Sequence, residues 1–188
     1  MIPAWNSSAV LPPIRPGQPG HSADRSPYLA RFSEVVQRFG TSPERINILH
    51  GLLEYRKELT RLGVANGFQW LDGSFMENKE VLESAPPNDV DVVTFFSLPN
   101  GVSDQAAFLT GNADLFQPDR SKNRFHVDAY AMVIGDPLQP FDVQQIAYWY
   151  SMWSHRRNGI WKGFVQVDIS SSEDQIAEAL LVQIRSSP

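Results

Sequence analysis

The sequence predicts a mixed α/β (α+β) protein in which helices flank a single β-sheet. Three observations predict this fold class. Apolar residues recur at helical spacing before residue 63 and after residue 141. Between those segments, runs rich in valine and phenylalanine fit strands. Glycine and proline separate the helical from the strand-like segments, so the elements alternate along one chain.

Size and composition are those of one globular domain. The chain has 188 residues, of which 42% are hydrophobic, enough for a sizeable core without a disulfide or a structural metal. The absence of cysteine excludes cysteine-ligated zinc and thiol chemistry. A net charge of −5 disfavours a surface dedicated to nucleic acid, although it leaves room for local basic patches. The sequence shows neither a signal peptide nor a long apolar run, so we expect a cytoplasmic protein with no membrane partner.

Residues 1–25 are predicted to form a proline-rich arm, and residues 26–188 a single folded domain. Six of the fourteen prolines lie within the first 27 residues. Because proline fixes φ and lacks an N–H donor, the arm is predicted to be extended rather than helical. Its apolar residues, such as Trp5 and Leu11, are candidate anchors. They favour an arm that lies across its own domain, and the alternative is an arm that engages a partner protein.

Two helices are expected to follow the arm. The pair Ser26–Pro27 is predicted to open the first helix, with Leu29 on its apolar stripe and Gly40 at its end. The second helix is predicted to run from Ser42–Pro43, as N-cap and first helical residue, to Gly63. The remaining predicted elements are strands at residues 68–71, 89–96, 125–134 and 163–169, and helices at residues 75–83, 103–110, 142–155 and 172–185.

Three aspartates are the candidate metal ligands and catalytic residues. Side chains alternate along a strand, so Asp89 and Asp91 point to the same side, about 6–7 Å apart along the chain. Asp128 lies in the middle of a later, otherwise apolar strand, where an unpaired carboxylate is costly. Neighbouring carboxylates repel one another unless a cation lies between them, and oxygen ligands suit Mg²⁺ or Mn²⁺. If the two strands are neighbours, the three aspartates can hold two such ions.

Gly73 and Ser74 are the candidate phosphate-binding residues. They lie between a predicted strand and a predicted helix, where backbone N–H groups and the helix dipole favour an anion. Glycine permits a close approach of the backbone to a phosphate, and the serine hydroxyl can donate to its oxygens. The alternative is a capping box, with Ser74 as the N-cap and Glu77 at the third helical position.

Four cationic residues are further candidates for binding the phosphates of a nucleotide or of an RNA. They are Lys122, Arg124, Arg156 and Arg157. Arg156 and Arg157 alternatively stabilise the carboxyl end of the helix that precedes them, and Arg124 alternatively forms an ion pair with Asp128.

The order of these residues along the chain is informative. The run Trp70–Ser74 (Trp-Leu-Asp-Gly-Ser) is followed, after fourteen residues, by Asp89–Val93 (Asp-Val-Asp-Val-Val) and later by Asp128. This order resembles the signature of the DNA polymerase β-like nucleotidyltransferase superfamily, in which a glycine-serine pair precedes Asp-hydrophobic-Asp and a third acidic residue lies on a later strand. The resemblance covers residues 68–134. The gap is at the long end for that superfamily, and Asp72 stands where an apolar residue is usual.

The resemblance implies a polymerase β-like fold and the transfer of a nucleoside monophosphate from a nucleoside triphosphate to a hydroxyl. It implies that Asp89 and Asp91 bind both metal ions, that Asp128 binds one of them and helps to deprotonate the acceptor, and that Gly73 and Ser74 hold the terminal phosphates. The acceptor that it implies is an RNA, a protein or a small molecule.

Residues 149–157 and 161–164 are also similar to an uncharacterised bacterial branch of that superfamily, composed of minimal domains with a proline-rich arm. By family analogy, we expect a small enzyme of a toxin–antitoxin or phage-defence system. The alternative is a catalytically inactive binding module or antitoxin with the same fold.

Overall fold

The structure, a computed structural model, describes residues 1–135 and 137–186. Five strands and eight α-helices are present in this part of the chain. The strands are β1 (Tyr28–Ala30), β2 (Gly67–Asp72), β3 (Val90–Phe96), β4 (Val127–Val133) and β5 (Val165–Asp168). The helices are α1 (Phe32–Phe39), α2 (Pro43–Arg61), α3 (Lys79–Glu83), α4 (Gln105–Gly111), α5 (Ala113–Phe116), α6 (Pro118–Phe125), α7 (Pro140–Trp153) and α8 (Ser171–Ser186).

The strands form one mixed sheet in the order β1-β5-β2-β3-β4. Two pairs are parallel, β1 with β5 and β3 with β4, whereas β2 is antiparallel to both of its neighbours. The predicted fold class, a mixed sheet flanked by helices, is therefore confirmed. No helix in the described ranges is both long and apolar enough to cross a membrane.

Alternation along the strands gives the sheet two different faces. Val90 and Val92 of β3 belong to a large apolar core with residues of α1, α2 and α8. Val93 and Phe95 point the other way, into a smaller aromatic core with Trp153 of α7. The face covered by α7 is the one that carries the candidate site.

A buried arginine joins four elements behind the sheet. Arg56 of α2 is fully buried, and its Nε lies 2.6 Å from Asp174 Oδ1 on α8. It also donates to Gln69 Oε1 of β2 (2.6 Å) and to the Asp168 carbonyl at the end of β5 (2.8 Å). A buried guanidinium needs such partners, because an uncompensated buried charge is costly. This network fixes α2 and α8 against the sheet.

The proline-rich arm packs on its own domain. Residues 1–27 contain no helix, and Val10 and Leu11 are buried. Trp5 Nε1 donates to the Met76 carbonyl (2.7 Å), and the Asn78 N–H donates to the Ala9 carbonyl (2.9 Å). The arm thus supports the segment that follows Gly73 from behind.

Three predictions about element boundaries are wrong. The pair Ser26–Pro27 does not open a helix: β1 follows it, α1 begins at Phe32, and Leu29 is 70% exposed on the edge strand. Residues 125 and 126 do not belong to a strand, because α6 ends at Phe125 and His126 caps it in the left-handed conformation. Residues 103–125 contain three short helices rather than one.

Candidate metal and nucleotide site

The register of the sheet aligns acidic residues across three neighbouring strands. Asp91 of β3 pairs with Asp72 of β2 on one side and with Asp128 of β4 on the other. Asp89 lies just before β3. One carboxylate oxygen from each of Asp89, Asp91 and Asp128 lies within 4.8 Å of those of the other two. Parallel pairing of β3 with β4 is what brings these three predicted ligands together.

The electrostatics of this cluster fit a divalent cation. Burial, together with the neighbouring carboxylates of Asp72, Asp128 and Asp89, raises the pKa of Asp91 to about 7. Burial also raises the pKa of Asp128, whose Oδ1 is buried without a hydrogen-bond partner. A hard cation between the oxygens removes both the repulsion and the unpaired atom, and Mg²⁺ and Mn²⁺ prefer such donors.

The backbone at position 73 lies against the cluster, and only glycine fits there. Its φ is +82° and its ψ −169°, a region essentially confined to glycine. A Cβ at this position would lie 2.8 Å from the Cγ and Oδ2 atoms of Asp91. The backbone therefore turns directly beside the carboxylates, as a phosphate-binding bend beside a metal site requires.

The segment after Gly73 differs from the predicted helix. Ser74–Met76 form a single 3₁₀ turn, and α3 begins only at Lys79, so a helix dipole contributes little here. The capping-box alternative is wrong. Gly73 occupies the N-cap position of this turn, and the Glu77 carboxylate points instead to Lys162 and Arg156. Ser74 lines the pocket described below.

A chain of alternating charges forms the floor beside Gly73. Lys162 Nζ lies 2.9 Å from Asp72 Oδ2 and 3.3 Å from Glu77 Oε1. The Arg156 guanidinium lies 3.2 Å from Glu77 and 3.5 Å from Glu83. Burial lowers the pKa of Lys162, but its two carboxylate partners outweigh burial and leave this pKa above its usual value. Lys162 thus stays cationic and offsets part of the negative charge of the cluster.

These groups line a pocket of about 750 Å³. Asp91 and Asp128 form one wall, and Arg156, Arg157 and Lys79 contribute cations to it. The size is within the range of ligand sites in proteins, roughly 300–1,000 Å³. A pocket with carboxylates on one side and cations nearby suits a metal-bound polyphosphate.

The structure brings together most, but not all, of the predicted site residues. The pocket includes Gly73, Ser74, Asp91, Asp128, Arg156 and Arg157. Lys122 lies at the rim as the ion-pair partner of Asp89. Arg124 does not reach the site: it lies 3.6 Å from Asp114 and 4.0 Å from Glu58, so neither its predicted phosphate contact nor its alternative pair with Asp128 is present.

Four of the pocket residues that were not predicted as site residues contribute to the electrostatics of the cluster. They are Asp72, Glu77, Tyr130 and Lys162. Tyr130 follows Asp128 by two positions on β4, and its hydroxyl lowers the pKa of that carboxylate against the larger effect of burial. Burial raises the pKa of Tyr130 to about 12, so its hydroxyl keeps its proton. Asp72 and Lys162 each interrupt an apolar run, which is a sequence signal for a buried ion pair but does not reveal the partner.

Fold and site together define a mixed α/β protein with a cluster of three carboxylates at one end of its sheet. The chain belongs to the family of unknown function DUF6932, whose model matches residues 3–168. The match begins in the arm and ends with β5. Comparisons with curated proteins and with solved structures found no significant match.

Proposed function

We propose that the protein is a metal-dependent nucleotidyltransferase that transfers a nucleoside monophosphate from a nucleoside triphosphate to a hydroxyl. The observation that carries the proposal is the convergence of Asp89, Asp91 and Asp128 within 4.8 Å, beside a glycine whose Cβ would touch Asp91. Two independent halves of the chemistry, a cation site and a phosphate-binding bend, meet at one end of the sheet.

The order of elements supports the same proposal. The glycine-serine bend follows β2, the Asp-Val-Asp run opens the adjacent β3, and the third aspartate lies on β4. This arrangement resembles the polymerase β-like nucleotidyltransferase fold named above, and we propose that fold for this chain. The departure at Asp72 has a structural reason, because Lys162 neutralises it.

Each residue has a proposed role. Gly73 and Ser74 hold the terminal phosphates, and Arg157, which also lines the pocket, supplies a cation for them. Asp89 and Asp91 would hold the divalent ions, and Asp128 accepts the proton of the attacking hydroxyl. The acceptor oxygen bonds to the α-phosphorus while the bond to the pyrophosphate leaving group breaks. The divalent ions supply charge stabilisation for the phosphoryl group and for the leaving pyrophosphate.

Thermal unfolding with each of the four nucleoside triphosphates and Mn²⁺ or Mg²⁺ tests the binding step. At about 100 times the dissociation constant, ligand binding adds about 2.7 kcal/mol to stability, which raises the melting temperature by several degrees. We expect this shift in the native protein and its loss in the Asp89→Ala/Asp91→Ala double variant. Asp168→Asn is the matched control, because that aspartate is exposed at the opposite end of the sheet. An equal shift in the double variant contradicts the proposal.

A binding module without turnover is the second candidate. Exposed apolar side chains favour it, since Phe141 and Tyr148 of α7 and Trp161 beyond α7 are each more than half exposed. Such residues are typical of interaction surfaces. Transfer of radiolabel from the triphosphate to cellular RNA or protein separates the two candidates. Transfer that requires Asp128 identifies the enzyme, and triphosphate binding without any transfer identifies the binding module.

A further inference from the structure

A second groove lies next to the carboxylate pocket, along the outer edge of β4. It has a volume of about 420 Å³ and lies between α4 and α5 on one side and α7 on the other. Tyr130 lines both the groove and the carboxylate pocket, so the two adjoin at that side chain. Along β4 the groove extends from Tyr130 to Val133. Its inner end is therefore two residues from Asp128.

The floor of the groove is an open strand edge. β4 is the last strand of the sheet in the described part of the chain. The Val90 N–H donates to His126 O and the Ile134 N–H to Phe96 O, so even-numbered residues of β4 bond to β3. Ala131 and Val133 therefore direct their N–H and C=O groups outwards, into the groove.

The edge is closed at its inner end, next to Asp128. The outward N–H of Ala129 is already bonded to the buried hydroxyl of Ser121 on α6 (3.2 Å). A segment that pairs with Ala131 and Val133 must therefore leave the edge near Tyr130, beside the carboxylate of Asp128.

The walls of the groove are uncharged except at Asp142. They include aromatic residues and the side-chain amides of Gln105, Gln117 and Gln145. The charged lining residue is Asp142, which is buried and accepts a hydrogen bond from the Gln139 N–H (2.9 Å). No cation is among the described residues that line the groove. A nucleic-acid strand needs cations along its phosphates, and this groove supplies none.

We propose that the groove binds the acceptor, and that the acceptor is an extended polypeptide segment added as a strand to β4. Backbone groups of Ala131 and Val133 pair with the segment, and the glutamine amides and aromatic walls contact its side chains. The segment presents a serine, threonine or tyrosine hydroxyl to Asp128. This inference rests on the proposed function for its chemistry.

The transfer step is balanced. The hydroxyl oxygen of the acceptor forms a bond to the α-phosphorus, and the bond between that phosphorus and the oxygen bridging to the β-phosphorus breaks. Pyrophosphate leaves with the electron pair, and the hydroxyl proton passes to the Asp128 carboxylate. The product is a phosphodiester between the side chain and the nucleoside.

Two groove variants and one matched control test the proposal. Ala131→Pro removes one outward N–H but keeps the ladder to β3, since residue 131 does not bond to that strand. Gln145→Arg places a bulky cation in the groove. Gln144→Arg is the control, because Gln144 is exposed on α7 and is not among the residues that line the groove. Circular dichroism and melting temperature establish that each variant is folded. If Ala131→Pro does not fold, Gln145→Arg alone tests the proposal.

Two readouts are needed. The first is fluorescence anisotropy with labelled peptides of about ten residues, each with one central serine, threonine or tyrosine in an alternating apolar sequence. The second is transfer of label from the triphosphate, with Mn²⁺, to the same peptides or to single-stranded RNA. We expect peptide binding and peptide labelling, each reduced about tenfold by Ala131→Pro and by Gln145→Arg and unchanged by Gln144→Arg.

The outcomes separate the two proposals. Labelling of RNA alone, especially if Gln145→Arg increases it, overturns the polypeptide acceptor while the nucleotidyltransferase stands. Weaker triphosphate binding by Gln145→Arg identifies the groove as the nucleobase site and also overturns the inference. Absence of peptide binding overturns it directly. Peptide binding that depends on the groove, without triphosphate binding, supports the docking site and contradicts the proposed reaction.

Discussion

At the scale of single residues, position 73 shows how the fold beside the carboxylate cluster restricts the sequence. Two separate constraints require glycine there: a positive φ and a contact with Asp91 that a Cβ would make too short. The first constraint is local, and the second exists only because β2 and β3 are paired at Asp72 and Asp91. The glycine was predicted to approach a phosphate, but its contact with the carboxylate follows from the fold and not from the motif.

Gly73→Ala tests the two constraints together. We expect a loss of about 2–4 kcal/mol of folding free energy, from backbone strain and from displacement of Asp91, together with loss of triphosphate-dependent stabilisation. Gly17→Ala is the matched control, since Gly17 has a φ of +83° and open space around its Cβ position. It should cost only the strain, about 1–2 kcal/mol. Urea unfolding measures both values, and equal losses would contradict the close contact.

Asp91→Asn should separate stability from function. The pKa of Asp91 in the folded protein, about 7, is above its usual value of 3.8, so its charged form destabilises the fold as the pH rises between these values. At pH 8 without metal, we expect the asparagine variant to be more stable by about 2–4 kcal/mol, since one pKa unit is worth about 1.4 kcal/mol. The same variant should lose stabilisation by Mn²⁺ and triphosphate. A variant that is less stable at pH 8 would show that the carboxylates do not repel one another.

At the scale of the elements, the sequence predicted those parts that local patterns determine. The valine-rich β3, the amphipathic α2 and the alternating faces of β4 follow from period and capping. The prediction that Ser26–Pro27 opens a helix is wrong, because proline fits the first turn of a helix and an edge strand equally well. Helix α6 was not predicted because most of its residues are polar. Its buried Ser121 accepts a hydrogen bond from the Ala129 N–H of β4, a tertiary contact that the sequence does not reveal. The register that aligns the acidic residues is a feature of the tertiary structure. The motif implied that these residues lie close together, and the pairing of the strands places them there.

The Arg56–Asp174 pair is predicted to hold α8 in place. Arg56→Leu leaves a buried carboxylate unpaired, and we expect a loss of about 3–5 kcal/mol in urea unfolding. Asp174→Leu should cost a similar amount, because the guanidinium then lacks its charged partner. The double variant should be less destabilised than the sum of the two, since neither charge remains buried alone. Additive losses would show that the two side chains act independently.

At the scale of the whole molecule, the proline-rich arm contacts the segments that form the site. The arm contacts the segment that follows Gly73 through Trp5 and Ala9. It also contacts the segment before β5 through Leu11, whose carbonyl accepts from the Gly163 N–H (2.7 Å). Gly163 directly follows Lys162, the residue that neutralises Asp72. The arm therefore positions both sides of the pocket from behind, and the family match spans the arm as well as the sheet.

Removal of one aromatic anchor should affect the distant pocket. Trp5→Ala deletes the bond to the Met76 carbonyl and the ring packing against Phe39. We expect a loss of about 2–3 kcal/mol in folding free energy and weaker binding of the metal–triphosphate complex. Trp161→Ala is the control for stability, because that indole is 65% exposed. If Trp5→Ala left triphosphate binding unchanged, the arm would contribute stability alone.

Direct titration with Mn²⁺, followed by the electron paramagnetic resonance signal of the free ion, tests the central claim most directly. In the presence of a non-hydrolysable triphosphate, the native protein and the Asp168→Asn control should remove Mn²⁺ from solution. Substitution of Asp89, Asp91 or Asp128 by asparagine should each weaken that binding by about tenfold or more. Binding that is independent of all three residues, or no binding by the native protein, would contradict a metal site formed by these carboxylates.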